Sequence, residues 1–441
     1  MGRKRVAIIG AGIAGLAAGH RLKQTGIETV IFESAPFAGG RMSSEKVQGF
    51  VIDKGAYTIP ETHKYFLRLI RELDLGHHLV ETTGSLSVWK GHTEHKMKIG
   101  SSKDFLKYRL ISLRDKKDLV KLFLYAQTHG SSLDLNRPNE QTFALERETV
   151  SDFLLRDYSP ALLEHIAYPI FSDLFLGTPE DNSKAAFLST LRSLAKFRIY
   201  TLGPGMGVLT DTLGDKLEVR LKTPVIQVRK NREKRGWVLE TGGETAQSEG
   251  YDGIVFALPA PLIPKLLPDM PEQIAIGLST VRYTPSIVAA LGLSRPRLDA
   301  SMMNTFTRKE YRTLATVVLD HYKNGNRIPN DRGLVTAILT KEMSIRLIEA
   351  PDAAVARTVL KEMDKRWPGL SDDLLFARIY RWPHAGVQLP PGTLKAQVRL
   401  RDALDTAFTG MAFAGDGLYR ASMEISLRTG YRAADRIARS I

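Results

Sequence analysis

Hydrophobic and polar residues along the first part of the chain follow the pattern of a buried strand, a helix and a second strand. The apolar run within Lys4–Ile9 predicts a short buried strand. Apolar residues at Leu16, Ala17 and Leu22 then recur at helical spacing, and Glu28–Phe32 forms a second strand-like run. Two short apolar strands joined by a helix indicate a βαβ unit, in which the two strands are parallel.

Similar patterns return in the middle and at the end of the chain. They predict a helix over Val208–Leu217, strands over Thr223–Val228, Trp237–Glu240, Tyr251–Leu258 and Tyr283–Leu293, and a helix from Met423. Residues 58–202 are predicted to be mostly helical. Within them, Phe105–Ala126 is basic and amphipathic, which is typical of a surface helix with one buried face or of a helix lying on anionic lipid.

Glycines occupy the turn between the first strand and its helix. The segment is Gly10-Ala-Gly12-Ile-Ala14-Gly15, and Glu33 follows 18 residues after Gly15. Gly10 permits a tight turn, Gly12 lets the backbone approach a pyrophosphate, and Gly15 allows the helix to pack closely on the strand. The anion would lie at the helix N-terminus, and Glu33 would accept hydrogen bonds from ribose hydroxyls. The sequence therefore predicts a dinucleotide site, with Ala14 in its first helical turn.

Two later segments favour a flavin over a nicotinamide nucleotide. They are Gly39-Gly40-Arg41 and Phe50-Val-Ile-Asp53-Lys-Gly55-Ala56-Tyr57. This arrangement resembles the flavin amine oxidase superfamily, and within it the protoporphyrinogen oxidases and phytoene desaturase-like enzymes. The resemblance implies non-covalently bound FAD, with Gly40 and Arg41 along the pyrophosphate and ribityl chain. It also places Gly55, Ala56 and Tyr57 near the flavin ring.

The C-terminal part carries a second motif of the same family. Gly415 and Asp416 follow a predicted strand, and the predicted helix from Met423 comes next. The resemblance implies that Asp416 holds the ribityl or pyrophosphate region and that the helix N-terminus at Met423 points at the flavin pyrimidine. A helix dipole there favours negative charge on reduced flavin. In the middle of the chain, the resemblance implies that the backbone of Val225 contacts the adenine.

Together these motifs predict an α/β protein whose FAD-binding, Rossmann-like domain is discontinuous. Its three parts are residues 1–60, 203–265 and 377–441. A mainly helical insertion that faces the substrate or a membrane is expected over residues 61–202. A mixed-sheet substrate domain is expected over residues 266–376.

The substrate side of the resemblance is looser. Amine oxidases often carry a lysine in the strand where this chain has Val288, which counts against a standard amine oxidase. Asp173 stands where porphyrinogen oxidases often have glycine. Trp382 and His384 lie in a segment that resembles the family's Trp-x-x-Ala stretch near the flavin, and both are candidate catalytic residues. We expect His384 in a loop, where its reference pKa of about 6.5 would suit a general base.

Composition and charge limit the partners. The chain has 441 residues and no cysteine, which excludes disulfides, thiolate metal sites and a cysteine-linked flavin. It fits a reducing, cytoplasmic compartment. No apolar run is long enough for a membrane span, and the basic start is not expected to be a signal peptide. The net charge of +14 fits solubility alone, contact with an anionic membrane, or acidic substrates. Neither nucleic acid nor a metal is predicted as a partner.

The expected reaction is hydride transfer from a C–H bond to flavin N5, which forms a C=C or C=N bond. The expected substrate is bulky, and either largely apolar or carboxylate-bearing, such as a porphyrinogen or a polyene precursor. Oxygen or a membrane quinone would reoxidise the flavin. Three alternatives stay open: an amine oxidase acting on a C–N bond, a non-redox flavin-dependent isomerase or mutase, and a flavin-binding protein without turnover.

Overall fold

A computed structural model describes residues 4–82, 85–98, 101–194, 198–231, 236–243, 246–297, 300–323 and 326–441. Its strands are β1 (Arg5–Ile9), β2 (Glu28–Phe32), β3 (Ser44–Val47), β4 (Phe50–Asp53), β5 (Ile59–Pro60), β6 (Leu79–Thr82), β7 (Ser85–Lys90), β8 (Thr93–Lys98), β9 (Ile199–Leu202), β10 (Glu218–Arg220), β11 (Val225–Lys230), β12 (Trp237–Thr241), β13 (Ser248–Tyr251), β14 (Gly253–Phe256), β15 (Tyr283–Leu293), β16 (Met303–Phe306), β17 (Leu314–Leu319), β18 (Gly333–Leu339), β19 (Leu374–Val387) and β20 (Met411–Phe413). Its helices are α1 (Ile13–Gln24), α2 (Lys64–Glu72), α3 (Ser102–Lys107), α4 (Leu113–Thr128), α5 (Glu140–Leu145), α6 (Val150–Asp157), α7 (Pro160–Leu162), α8 (Tyr168–Leu174), α9 (Lys184–Ser193), α10 (Gly207–Asp215), α11 (Ile263–Leu266), α12 (Glu272–Ser279), α13 (Lys341–Leu347), α14 (Asp352–Arg366), α15 (Thr393–Ala407) and α16 (Met423–Ser440).

Five strands from separated parts of the chain form a parallel sheet. Their order is β10-β2-β1-β14-β20, and each neighbouring pair is parallel. β1 and β2 are joined by α1, as the apolar pattern predicts. In open parallel sheets, ligands bind outside the carboxyl ends of the strands, where the direction of the connections reverses. Here that point lies beside the carboxyl end of β1.

Helices α1 and α16 cross at very short distance on this sheet. A Cβ added to Gly430 would lie 2.2 Å from the carbonyl oxygen of Ala14, so only glycine permits the crossing. α1 follows the carboxyl end of β1, and α16 follows that of β20. Both helix N-termini therefore face the same edge of the sheet.

The predicted strand Tyr251–Leu258 is two strands in the structure. Asp252 separates β13, which belongs to a three-stranded antiparallel sheet of β11, β12 and β13, from β14 of the parallel sheet. The carboxylate of Asp252 accepts a hydrogen bond from the backbone of Arg5 at 2.9 Å, and its own amide donates to the Arg5 carbonyl. This local pairing redirects the chain from one sheet to the other.

A seven-stranded mixed sheet forms the second large layer, in the order β19-β15-β18-β17-β16-β7-β8. One of its faces packs on helices α13 and α14 through a buried apolar cluster. On the other face, Ala290 and Leu334 pack on Phe50 and Ile52 of β4. The sheet therefore lies directly against the glycine-rich part of the chain.

The stretch expected to be helical differs from the expectation in three respects. β5, β6 and β9 form a small sheet of their own. Residues 85–98 form β7 and β8, which extend the mixed sheet, so helices dominate only from α3 onwards. The stretch Phe105–Ala126 is not one helix, because α3 ends at Lys107 and α4 starts at Leu113. Ser112 and Asp115 form a reciprocal capping box that starts the new helix.

The α/β class predicted from the sequence is confirmed by this architecture of parallel sheet, mixed sheet and helical segment. Across the described ranges, no helix combines the length and the apolar composition needed to cross a bilayer.

Candidate flavin site

The glycines after β1 form a tight turn at the edge of the parallel sheet. Gly10 has a φ of +104°, and its amide donates to the carbonyl of Phe32 at 2.8 Å. A Cβ on Gly15 would lie 1.9 Å from the carbonyl oxygen of Gly10, so only glycine fits there. Gly12 precedes α1, and no side chain caps that helix N-terminus. Its first amides therefore lack acceptors inside the helix and can bind an anion.

Glu33 lies beside this turn at the end of β2. Its carboxylate accepts hydrogen bonds from the amides of Ala11 at 2.8 Å and Ala35 at 2.9 Å. The carbonyl of Glu33 accepts from the amide of Thr223 at 2.8 Å, two residues before Val225. The structure thus brings Glu33 and Val225 together at the same end of the sheet.

Arg41 connects three separated segments. Its guanidinium donates two hydrogen bonds to Asp416, at 2.9 and 3.1 Å, and one to the carbonyl of Ala385 at 2.6 Å. Burial alone would lower the pKa of Arg41, but the ion pair with Asp416 raises it above its usual value. Gly415, which precedes this aspartate, has a φ of +117° and is held by Thr429 of α16. The two predicted cofactor-binding motifs therefore meet in one ion pair.

The loop after β4 is fixed by its backbone. A Cβ on Gly55 would lie 2.5 Å from the carbonyl oxygen of Arg41, and the amide of Ala56 donates to that same oxygen. The indole N–H of Trp382 donates to the carbonyl of Lys54 at 2.8 Å. Trp382 therefore lies against this loop, on the face of the mixed sheet that meets it.

Asp53, at the end of β4, lies in a buried ion-pair network that the sequence does not reveal. Its carboxylate pairs with Arg327 at 2.6 Å and Lys323 at 3.6 Å, and accepts from the amide of Met206 at 2.8 Å. Lys323 also pairs with Asp320 at 2.6 Å. Burial alone would raise the pKa of Asp53, but the two cations lower it below its usual value. Arg327 lies 274 residues along the chain, so no local pattern indicates the pairing.

Helix α16 begins at Met423, which is partly buried against the apolar core around β1 and α1. No side chain caps it. Instead, the carboxylate of Glu424 accepts hydrogen bonds from the amides of Tyr65 and Phe66, at 3.0 and 2.9 Å, and so caps α2. Burial lowers the pKa of the neighbouring His63 to about 3, with a smaller effect from Arg420, so its ring is neutral.

Tyr57 and His384 lie on the side of the site that is formed by the helical segment and the mixed sheet. The hydroxyl of Tyr57 donates to the carboxylate of Asp173 at 2.6 Å. His384 lies in strand β19, not in the expected loop, because β19 continues to Val387; its pairing with β15 has an irregularity between Trp382 and Gly386. Its ring meets Tyr283 edge-on at 5.4 Å. Burial lowers its pKa, with further lowering by Arg41 and Lys265.

Three glycines leave open space where a diphosphate would lie. A Cβ added to Gly12 meets no atom within 4 Å. At Gly40 it meets only the Cα of Gly12 at 3.6 Å, and at Gly415 only the carbonyl oxygen of Leu258 at 3.8 Å. These glycines follow β1, β2 and β20, beside the uncapped start of α1. Open backbone and free amides are what a dinucleotide phosphate requires, so the residues present fit FAD.

Comparison with known proteins gives the family. The model for flavin containing amine oxidoreductases matches residues 13–438. The chain belongs to this family. It is therefore an FAD-dependent oxidoreductase, as its glycine motifs predict.

Relatives of this chain share little sequence with it. The carotenoid phi-ring synthase of Streptomyces griseus is 26% identical over 323 residues, which span 66% of this chain and 60% of that protein. The coproporphyrinogen III oxidase of Bacillus subtilis (strain 168) is 22% identical over 471 residues, 95% of each chain. A putrescine oxidase variant with three substitutions superposes with a TM-score of 0.81 at 17% identity, over 99% of each chain. At this identity the superposition shows the fold.

Within the described ranges, no group of three or more His, Asp or Glu side chains is arranged to hold a metal ion.

The residues that sequence reasoning missed are mostly partners of residues that it found. They are Arg327 and Lys323, which pair with Asp53, and Glu424, which accepts from amides of α2. The sequence names Asp173 but not its contact with Tyr57, 116 residues away. These contacts join segments that are distant along the chain, which is why no spacing indicates them.

Proposed function

We propose that this enzyme removes hydride from a C–H bond of a bulky, largely apolar substrate of the porphyrinogen or polyene type. Bound FAD supplies N5 as the hydride acceptor, and oxygen or a quinone reoxidises it. The observation that carries the proposal is the set of side chains around Val288, on the face of the mixed sheet that contacts the loop after β4. The family membership and the relatives named for porphyrinogen and carotenoid chemistry support it.

Val288 lies on the same face of the mixed sheet as Trp382. Ser286 pairs with Trp382 and Val288 pairs with Tyr380, and directly paired strand residues point to the same face. On its other side Val288 pairs with Ile338, which in turn pairs with Thr316. The row next to Trp382 therefore carries tyrosine, valine, isoleucine and threonine and no ammonium group. A face of this composition suits an apolar substrate better than a site that relies on a lysine beside the flavin.

We propose the following roles for the chain in holding FAD. The first amides of α1 and the open backbone at Gly12, Gly40 and Gly415 bind the pyrophosphate. Glu33 accepts from the ribose, and the backbone of Val225 contacts the adenine. Gly10 and Gly15 shape the turn that presents the first amides of α1, and Ala14 lies in the first turn of that helix. A second set orients the ribityl chain and ring: Arg41, Gly55, Ala56, Tyr57, Asp416 and the helix start at Met423. The domain boundaries at residues 60, 202, 265 and 376 remain a prediction.

Anaerobic reduction of the holoenzyme tests the substrate class. The oxidised-flavin absorbance is followed after addition of coproporphyrinogen, protoporphyrinogen, an acyclic polyene precursor, or amines including putrescine. We expect bleaching by a porphyrinogen or the polyene, with one new C=N or C=C bond in the substrate per FAD reduced. Photoreduction of the same sample is the control for competent flavin. Bleaching by amines alone would overturn the proposal, and product formation without net reduction would indicate an isomerase.

We also propose that α3 and α4 contact an anionic membrane, within a cytoplasmic location. Five large apolar side chains are exposed in this short stretch: Leu106 (64%), Leu113 (78%), Val120 (45%), Leu124 (56%) and Tyr125 (38%). Leu113, Val120 and Leu124 form one stripe along α4, because their spacing of 7 and 4 residues follows the helical repeat.

Charge favours anionic lipid as the occupant of this face. Exposed cations surround the leucine stripe: Lys103, Lys107, Arg109, Arg114, Lys117 and Lys121. The acids of the same stretch, Asp104, Asp115 and Asp118, are buried or half-buried. Exposed leucines flanked by lysines and arginines are the composition of helices that lie in the interface of anionic bilayers.

Vesicle sedimentation with the holoenzyme tests this contact. We expect binding to phosphatidylcholine vesicles that contain phosphatidylglycerol, and little binding to phosphatidylcholine alone. Replacing both Leu113 and Leu124 by serine should weaken binding at least about tenfold, since each buried leucine contributes ~1.5–3 kcal/mol. The matched control replaces Ile276 and Ile345 by serine, which are exposed by 56% and 53% on other helices. Equal loss in both double variants would overturn the proposal.

A further inference from the structure

A carboxylate of the helical segment contacts a tyrosine of the loop after β4 in the interior of the molecule. Tyr57 lies two residues after Gly55, and Asp173 lies on α8, 116 residues away. Their hydrogen bond is 2.6 Å long. Both residues are half-buried, yet burial is the largest cause that raises the pKa of each. They therefore line an enclosed space and not the outer surface.

This space lies on the substrate side of the site. Tyr57 continues the loop whose Lys54 carbonyl binds Trp382. The end of α8 is pressed against β19 just beyond His384, since a Cβ on Gly386 would lie 2.2 Å from the carbonyl oxygen of Phe175. The pair is thus enclosed by the cofactor loop, the helical segment and the mixed sheet.

The charges around the pair leave Asp173 as the group able to accept a proton. The Nζ of Lys323 lies 5.1 Å from the centre of the Tyr57 ring, but Asp53 and Asp320 already neutralise it. Asp320 also raises the pKa of Tyr57, while the hydroxyl groups of Tyr57 and Thr316 partly oppose the raised pKa of Asp173. No ion pair joins Asp173 to a lysine or arginine among the described residues.

We propose that Tyr57 and Asp173 accept the proton that the substrate loses as it is oxidised. The inference rests on the proposed function. As hydride leaves a substrate C–H bond for FAD, the hydroxyl oxygen of Tyr57 takes the proton of the adjacent N–H or C–H group. The hydroxyl proton of Tyr57 passes to the carboxylate of Asp173. The substrate has then lost two electrons and two hydrogens and gained one C=N or C=C bond.

The protonated Asp173 returns its proton to solvent or to the reduced acceptor when FAD is reoxidised. The carboxylate also stabilises the positive charge that develops on the substrate as hydride departs. A carboxyl group whose pKa lies closer to neutrality than usual is the better partner for such transfer.

Infrared difference spectroscopy of a single anaerobic turnover tests the proton transfer directly. We expect a carboxylic acid C=O band to appear on reduction by substrate, to shift in deuterated water, and to be missing in Asp173→Asn. The rate constant of FAD reduction should fall about 10²- to 10⁴-fold in Asp173→Asn, and about tenfold or more in Tyr57→Phe. Asp173→Asn should bind FAD with unchanged affinity and absorbance, which excludes misfolding as the cause.

The matched control is Asp157→Asn, at an acid of the same helical segment whose ion pair with Arg156 is on the surface. The FAD of this variant should be reduced by substrate at the wild-type rate. Absence of the infrared band in the wild type, or reduction of Asp173→Asn within about threefold of the wild-type rate, would overturn the inference. If only amines bleach the flavin, the proposed substrate class fails and the same band is sought with the amine. If no donor bleaches it, both proposals fail.

Discussion

The cofactor end and the substrate end of this molecule are built in different ways. At the cofactor end, the binding surface is backbone: glycines after β1, β2 and β20 leave open space beside uncapped helix amides. At the substrate end, the surface is made of side chains from the loop, α8 and the mixed sheet, such as Tyr57, Asp173 and Trp382. Backbone sites need glycine at fixed spacing and leave a sequence motif, whereas side-chain sites can be assembled from many positions.

The largest expected effect is on the free energy of unfolding, at the buried ion pair of Asp53 that lies between the two ends. Replacing Asp53 by asparagine leaves Arg327 buried without its charge partner, and we expect a loss of ~3–5 kcal/mol in the free energy of unfolding. Urea denaturation of the apoprotein measures this loss. The control is Asp435→Asn, whose ion pair with Arg21 is exposed and should contribute about 0–1 kcal/mol. Equal losses would show that the two ends do not depend on the buried network.

The same variant has a pH signature. The folded state lowers the pKa of Asp53 below its unfolded value of about 4, so its contribution is present above that pH and is lost as pH falls through the folded pKa. Asp53→Asn should therefore show a smaller drop in stability with acidification than the wild type. An unchanged acid dependence would contradict the assignment.

An intermediate effect, confined to the cofactor end, is expected for Gly12→Ala. The added methyl meets no protein atom, so the apoprotein should melt as the wild type does. It occupies the space of the pyrophosphate, however, and should weaken FAD binding ~10- to 100-fold, the value of a charge-assisted hydrogen bond of about 1.5–3 kcal/mol. Titration of the apoprotein with FAD measures the affinity. Gly214→Ala, whose methyl would have only an ordinary contact at 4.0 Å, is the control.

The smallest effect, at the substrate end, is expected for His384→Gln. Burial, Arg41 and Lys265 lower the pKa of His384, so the ring is already neutral at pH 7 and does not titrate above it. We expect kcat/KM within about threefold of the wild type and an unchanged profile from pH 6.5 to 9, roughly the window above its reference pKa. A lost ionisation in that window would instead assign His384 as a general base.

The sequence predicts those parts of the fold that depend on local signals, and it does not predict those that depend on contacts between distant segments. β1, α1 and β2 lie close to their predicted positions because short apolar strands, helical spacing and Gly10 are local signals. β7 and β8 were missed because their residues are mostly polar and are stabilised by pairing with the distant β16. The break between α3 and α4 has a local signal, Ser112 with Asp115, that hydrophobic periodicity alone overlooks.

The candidate site shows the same limit. The glycines, Glu33, Arg41 and Asp416 can be named from spacing, but their three-dimensional partners cannot. His384 was expected in a loop because it follows a proline, yet β19 pairs with β15 on both sides of it and so continues through it to Val387. Asp173 was visible only as a departure from a family pattern, and its contact with Tyr57 depends on how α8 packs.

The close crossing of α1 and α16 has a consequence for how the protein is made. β20 completes the edge of the parallel sheet next to β14, and Gly430 of α16 seats against Ala14 near the beginning of the chain. The parallel sheet and the flavin site therefore cannot close before α16 has been synthesised and has packed on α1. During synthesis the unpaired edge of β14 is open to aggregation. FAD that binds the folded chain stabilises it, so a cell short of riboflavin would yield less folded enzyme as well as less active enzyme.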